Sequence, residues 1–188
     1  MRELIVQMMV TVDGYAAGAD GGLDWIEVDD PELDDYLAGL LGSVGGQIFG
    51  RTSYDLLAQY WPDAEHRPAT PGDARLAPLV NGLPKIVVTT RREPELPWQP
   101  ATSIGTDFAE QVARLKAAEG KPLVVFAGIT TARAFLQLNA VDELRLLVFP
   151  LLLGAGQRLF EDGPRIPLHL IEARPFPTSG VVLQRYRH

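Results

Sequence analysis

Two glycine bends hold the residues best suited to chemistry. In Gln47-Ile48-Phe49-Gly50-Arg51-Thr52-Ser53-Tyr54 a short apolar run ends at a glycine and an arginine and opens onto a helix-like stretch. Glycine lets backbone approach a ligand, and the unpaired amides of a starting helix attract phosphate. Leu123-Val124-Val125-Phe126-Ala127-Gly128-Ile129-Thr130-Thr131 repeats the arrangement. Two such turns predict a nucleotide held across the carboxyl ends of strands. Gly50-Arg51-Thr52 offers amides, a fixed cation and a hydroxyl within one turn, the set a pyrophosphate or ribose phosphate needs. Thr89-Thr90-Arg91-Arg92 adds hydroxyls and two guanidiniums, suited to the extra phosphate that distinguishes NADPH from NADH. The plainer alternative for both is a tight turn followed by surface arginines.

Other candidates fall away on chemistry. Gly154-Ala155-Gly156 lacks the third glycine of a dinucleotide fingerprint and reads as a loop. The acidic run from Asp20 through Asp24, Glu27, Asp29 and Asp30 to Asp35 reads as a solvated helix start, where carboxylates favour the helix dipole. The chain has no cysteine, which excludes thiolate nucleophiles and cysteine-based zinc sites. His66, His169 and His188 are too scattered to suggest a metal, and none is expected. There is neither a G-x-S-x-G elbow nor a P-loop lysine, so hydrolase and kinase readings are weak. A net charge of -7 argues against nucleic acid, which calls for a basic face.

The elements that must position these residues follow from pattern. With 188 residues, 46% of them hydrophobic and 22% charged, the chain suits one globular domain spanning residues 1–188. Leu4 to Val10 predicts a buried strand, and residues 11–22 a mobile glycine-rich loop. Asp30-Pro31 predicts a helix start, with Leu33, Leu37, Leu40 and Leu41 at helical spacing. A short helix is expected from Ser53 to Tyr60, then a proline-rich crossing with little pattern from Pro62 to Pro84. Lys85 to Thr90 predicts a strand, Thr106 to Glu119 a helix, Thr131 to Leu138 another, and Glu143 to Phe149 a strand ended by Pro150. Leu168 to Glu172 and Val181 to Tyr186 form a terminal hairpin. Such alternation predicts an α/β fold with a mostly parallel sheet, an antiparallel edge and helices on both faces. The N-terminus reads as a strand, and the longest apolar run, Leu146 to Leu153, is broken by Pro150 and far short of the ~20 residues of a membrane span. A cytoplasmic location is the expectation.

The ordered set Thr11-Val12-Asp13-Gly14-Tyr15, Gly50-Arg51-Thr52-Ser53-Tyr54, Lys85 to Thr90, Ala127-Gly128, Val141 to Leu146 and Pro150 to Phe160 resembles the dihydrofolate reductase-like superfamily. It is most similar there to the riboflavin-biosynthesis reductase domain and its stand-alone relatives. The resemblance implies a three-layer α/β/α fold with a mixed sheet of about eight strands, NADPH as cofactor, a small-molecule substrate and commonly a homodimer. It places Gly50, Arg51, Thr52, Thr89, Thr90 and Arg91 on the adenosine phosphates, and Ala127, Gly128, Ile129, Thr130 and Thr131 on the pyrophosphate. The loop from Ala16 to Trp25, with Gly18, Gly22 and Leu23, closes over the nicotinamide; Asp13, Trp25, Phe49 and Tyr54 line the substrate side. Asp13 is the first catalytic candidate, orienting a substrate hydroxyl or amine, and Asp30 the second, facing a ring nitrogen. Trp25 and Asp30 copy the spacing of the superfamily's tryptophan and pterin-binding acid, yet Asp30 is equally an N-cap before Pro31. The expected reaction reduces a C=N or C=O of a ribosylaminopyrimidine-like heterocycle. Pterin reduction, a non-catalytic nucleotide-binding module and an interaction protein stay open. Without cysteines the zinc deaminase partner of bifunctional riboflavin enzymes is absent from this chain.

Overall fold

The computed structural model describes residues 1–163 and 165–187; His188, one of the three histidines weighed above, lies outside them. Ten strands and six α-helices follow one another among the described residues: β1 (Leu4–Thr11), β2 (Tyr15–Ala17), α1 (Pro31–Ser43), β3 (Gly46–Gly50), α2 (Arg51–Leu57), α3 (Trp61–Ala64), α4 (Pro71–Gly82), β4 (Lys85–Val88), β5 (Ala101–Ile104) and α5 (Phe108–Ala117). After these come β6 (Leu123–Ala127), α6 (Ile129–Gln137), β7 (Glu143–Phe149), β8 (Gln157–Arg158), β9 (His169–Pro175) and β10 (Val182–Arg187). Eight strands form one sheet in the order β5-β4-β3-β6-β1-β7-β10-β9. The first six run parallel, and β10 and β9 add an antiparallel edge, as the alternation predicted.

β1 lies at the centre because it is apolar on both faces, and only a central strand of a helix-covered sheet can bury both. Strand alternation then splits the core in two. Ile48 of β3 packs on the face that holds Val112, Ala132 and Phe135 of α5 and α6, whereas Phe49 packs on the other with Leu33, Leu37 and Leu41 of α1. α1 begins where expected, with Asp30 capping it and Pro31 in its first turn.

Two expectations are corrected. The stretch from Pro62 to Pro84 is more regular than its pattern suggested, since α3 and α4 occupy most of it. Thr70 and Asp73 close a capping box at the start of α4, and burial of Leu76, Ala77 and Val80 offsets the amide that Pro78 removes. Residues 11–22 are not a free loop either: β2 pairs with β8 as a separate two-stranded sheet. Among the described residues no helix is long and apolar enough to cross a membrane.

Candidate active site

Parallel strands present their carboxyl ends together, so the sheet itself builds a rim. Register aligns Gly50 with Val88, Phe49 with Ala127 and Thr11 with Phe149. From β3 the chain leaves through α2 toward β4 on one side; from β6 it leaves through α6 toward β7 on the other. Neighbouring strands whose exits diverge leave a crevice between them, the position where open α/β sheets receive ligands.

The two glycine bends meet in that crevice. A Cβ added at Gly50 would stand 2.5 Å from Thr131 Oγ1, and one at Gly128 would stand 3.2 Å from the Gly50 amide nitrogen and 3.3 Å from Ser53 Oγ. Gly128 holds φ 104°, a conformation side chains resist, so glycine is required there for both shape and space. Gly50 and Gly128 sit at the N-caps of α2 and α6, and neither helix start is closed by a side chain, in contrast to α1 and α4. First-turn amides around Ile129, Thr130 and Thr131 therefore keep donor capacity toward the crevice. Ser53 was not singled out in the sequence, although its place one turn into α2 beside the bend was the available signal.

The arginines divide. Arg51 donates through Nε to Asp55 at 2.7 Å and through Nη1 to the Glu95 carbonyl at 3.0 Å, and the hydrogen bond to Asp55 holds its pKa above the ordinary value. It braces α2 against the segment after β4. Arg91 is exposed; its backbone N–H donates to the Thr89 hydroxyl at 3.2 Å, fixing the turn that presents Thr90 and Arg91. Gly50, Arg51, Thr52, Thr89, Thr90, Arg91, Ala127, Gly128, Ile129, Thr130 and Thr131 thus gather along one side of the sheet, at the ends of β3, β4 and β6.

At the same rim, beyond β1, β2 and β8 form a flap. Ala16 is buried within it, and the chain then turns tightly through Gly18 to Gly22, closed by the Gly18 amide on the Gly22 carbonyl at 2.9 Å. Leu23 follows, exposed. Trp25 sits in a short 3-10 turn, edge-on to Phe149 with ring centroids 5.3 Å apart. Its indole Nε1 is buried and has no acceptor among the described residues, so an acceptor from outside the protein would be gained at full value.

Three of the expected substrate and catalytic positions are corrected. Phe49 and Tyr54 are fully buried, stacked beside Trp98 at 5.7 and 5.8 Å, and the Tyr54 hydroxyl both donates to and accepts from the Trp98 backbone. They are core, because Trp98, unremarked in the sequence, covers them. Asp30 is also spent on structure: one oxygen accepts from the Glu32 and Leu33 amides, the other from the Ser179 amide and hydroxyl. Burial raises its pKa, but hydrogen bonds from Ser179, Leu33 and Glu32 outweigh that and leave it below the ordinary value. Asp30 therefore pins α1 to the β9–β10 turn.

Asp13 does a related job. Its carboxylate accepts from the Thr11 hydroxyl and from the amides of Leu153 and Gly154, at 3.2 and 2.8 Å, and so fastens the loop before β8 to the end of β1. The Thr11 hydroxyl and those amides hold its pKa at about 2 against burial. A depressed carboxylate stabilises the fold above its unfolded value and loses that contribution as pH falls through the folded one. We expect the stability difference between the protein and Asp13→Asn, measured by urea unfolding, to shrink between pH 4 and pH 2. A difference constant over that range would detach Asp13 from the clasp.

A mostly parallel sheet whose strand ends carry two touching glycine bends, with a glycine-rich flap beside them, defines an α/β domain with a ligand crevice at its strand ends. The model of the RibD C-terminal domain matches residues 2–182, and the chain belongs to that family, the reductase-like domains of riboflavin biosynthesis. YyaP of Bacillus subtilis (strain 168), an uncharacterized protein, is 35% identical over 182 residues, covering 96% of this chain and 92% of YyaP. The crystal structure of a protein assigned to riboflavin biosynthesis from Shewanella sp. PV-4 superposes with a TM-score of 0.76 at 23% identity, over 98% of both chains. A diaminohydroxyphosphoribosylaminopyrimidine deaminase/5-amino-6-(5-phosphoribosylamino)uracil reductase from Thermotoga maritima shares the fold at TM-score 0.69 and 12% identity, over 99% of this chain and 56% of that longer one.

Proposed function

We propose that the chain is an NADPH-dependent reductase of a C=N or C=O carbon in a small heterocycle, of the ribosylaminopyrimidine kind that the Thermotoga protein's name specifies. The contact between the bends at Gly50 and Gly128 carries this reading, because it makes a cradle of amides that any side chain would fill. The residues present fit the cofactor. Its pyrophosphate would lie on the amides at Gly128 to Thr131, its adenosine phosphates against Gly50 to Thr52, Thr89, Thr90 and Arg91, and its nicotinamide under the flap from Ala16 to Leu23. Bound there, the cofactor supplies the hydride.

The chain's own part is orientation and the exclusion of water. Trp25 offers its indole N–H to an acceptor on the substrate. Asp13 and Asp30 both have depressed carboxyl pKa values and are engaged by backbone and hydroxyl donors, so neither is assigned the proton that accompanies the hydride. The pterin alternative is left without its acid, since every Asp30 oxygen is already engaged. A cytoplasmic location goes with a cofactor of that compartment.

The test is a thermal-shift comparison of NADPH, NADH and no ligand, in the protein and in Arg91→Ala. Saturation at 100 times Kd stabilises by about 2.7 kcal/mol, or roughly 5–10 °C for a domain of this size. NADPH should exceed NADH, and the preference should vanish in the variant. No shift with either nucleotide would sink the reading, while a shift without turnover of any pyrimidine substrate would leave a nucleotide-binding module.

The homodimer finds its support elsewhere. A cleft of about 730 Å³ between α6, residues 159–163 and β10 is lined by Leu136, Leu144, Phe160, Ile166, Leu168 and Tyr186. Phe160, Ile166, Leu168 and the neighbouring edge residue Leu170 are exposed, an apolar patch that needs a cover. Around it charges come in opposite pairs, Arg133 with Glu161 and Lys116 with Asp142, although the whole protein carries -7. Asp162 adds one more carboxylate to the lining, so the face is close to neutral; two acidic copies meet there with little repulsion, and a second copy is the occupant. Leu168→Asp should convert a dimer to a monomer in light scattering; a protein that is monomeric before the change would refute the assignment.

A further inference from the structure

We infer that Arg133 is a positioning residue that ties the flap to α6, so that the helix offering its amides to the phosphates also sets the cover over the reacting end. The inference rests on the reading of the crevice given above, and goes beyond it in assigning the coupling.

Arg133 lies one turn into α6, four residues after Ile129. All three of its guanidinium nitrogens are directed to one short segment: Nε donates to the Leu159 carbonyl at 3.2 Å, Nη2 to the Arg158 carbonyl and Nη1 to the Glu161 carboxylate. A planar fork satisfied in this way fixes both distance and orientation, which a lysine in its place would not. Arg158 belongs to β8, so the fork grips the flap at its base. From there the connection is continuous. Arg158 lies over the Tyr15 ring at 4.7 Å and hydrogen bonds the Asp13 carbonyl, the Leu159 amide donates to the Gly14 carbonyl, and Asp13 clasps Leu153 and Gly154. At Gly156 a Cβ would run into the Ala17 carbonyl, so the backbone at Gly156, just before β8, closes on β2. Leu159 plugs into the core beside Ala132 and Phe135, which adds packing to the fork.

The geometry assigns Arg133 no contact with the crevice. Its effect is to make the flap and the first turns of α6 move as one body, so that seating phosphates on α6 positions the lid as well. Lids with few buried contacts open locally at small cost, and a single fork that closes one can govern its population.

Hydrogen exchange of the full chain, in the protein, Arg133→Lys and Arg133→Met, reads the tie directly. Amides of residues 14–22 and 153–161 should exchange at least tenfold faster in Arg133→Met, with those of β3 and β4 unchanged and Arg133→Lys intermediate. In parallel, Kd for NADPH should rise about tenfold in Arg133→Met, whereas Kd for adenosine 2′-monophosphate, which lacks the pyrophosphate and reaches only the Gly50 and Arg91 side, should stay the same. A merely destabilised fold would weaken both ligands together and overturn the inference, as would flap exchange equal to the starting protein. Absence of NADPH binding in the unmodified protein would overturn the functional reading instead, and the exchange comparison would then decide the tie alone.

Discussion

Gly128→Ala is expected to weaken NADPH binding by about 100-fold, or roughly 2.7 kcal/mol. The added methyl would point into the crevice, 3.2 Å from the Gly50 amide nitrogen and 3.3 Å from Thr131 Oγ1, where the pyrophosphate is to lie. Alanine at φ 104° also strains the backbone, at a cost of about 1–2 kcal/mol to the fold, and this must be separated from the effect on binding. Gly180 provides the control: it holds φ 73° in the β9–β10 turn, on the far side of β7 from the crevice. Gly180→Ala should lose comparable stability and keep the full thermal shift with NADPH. Isothermal titration of both variants settles the comparison. Equal affinities in Gly128→Ala and Gly180→Ala would mean that the crevice does not receive the phosphates.

The second large effect concerns stability. Asp30→Ala would leave the Glu32 and Leu33 amides at the start of α1 uncapped and strand the amide and hydroxyl of Ser179, all around a side chain that is 1% exposed. Removing one side of a buried, charge-assisted network costs about 3 kcal/mol, which lowers Tm by roughly 6–12 °C. Because the pKa of Asp30 is depressed, its contribution is present above the unfolded carboxylate value and fades as pH falls through the folded one. The gap in Tm between the protein and Asp30→Ala should therefore close in acid. Asp30→Ser retains a capping oxygen and should recover about 1 kcal/mol. If instead the variant melts like the original protein but loses turnover, Asp30 faces a substrate after all.

These two residues also show what could be read from the chain and what could not. Asp30-Pro31 announced the start of α1 because capping is local: donors and acceptor lie within three residues. The same carboxylate's bond to Ser179 crosses 149 residues and leaves no local pattern, so its second oxygen looked available for a ring nitrogen. Asp13 repeats the lesson, with partners 140 and 141 residues away. The glycine bends were legible, since an apolar run that stops at glycine and opens a helix marks a strand end by local chemistry alone, and the sheet order put the two side by side. Phe49 and Tyr54 were misplaced because strand alternation and helical spacing tell which face a residue takes, not whether Trp98 roofs it. α4 escaped notice because Pro71 and Pro78 mask a periodicity that its capping box and buried face still enforce. The flap strands β2 and β8 are three and two residues long, below the length at which alternation can be recognised.

The place of β1 has a consequence for how the molecule comes to exist. Its partners on either side are β6 and β7, so during synthesis β1 waits for residues 123–149 before it can pair. At bacterial or eukaryotic rates of roughly 5–20 residues per second, that delay is on the order of ten seconds, during which a segment apolar on both sides has no native cover. The middle of the sheet is thus completed late, ahead only of the β10–β9 edge, and a nascent chain halted before β7 carries its own aggregation seed in β1.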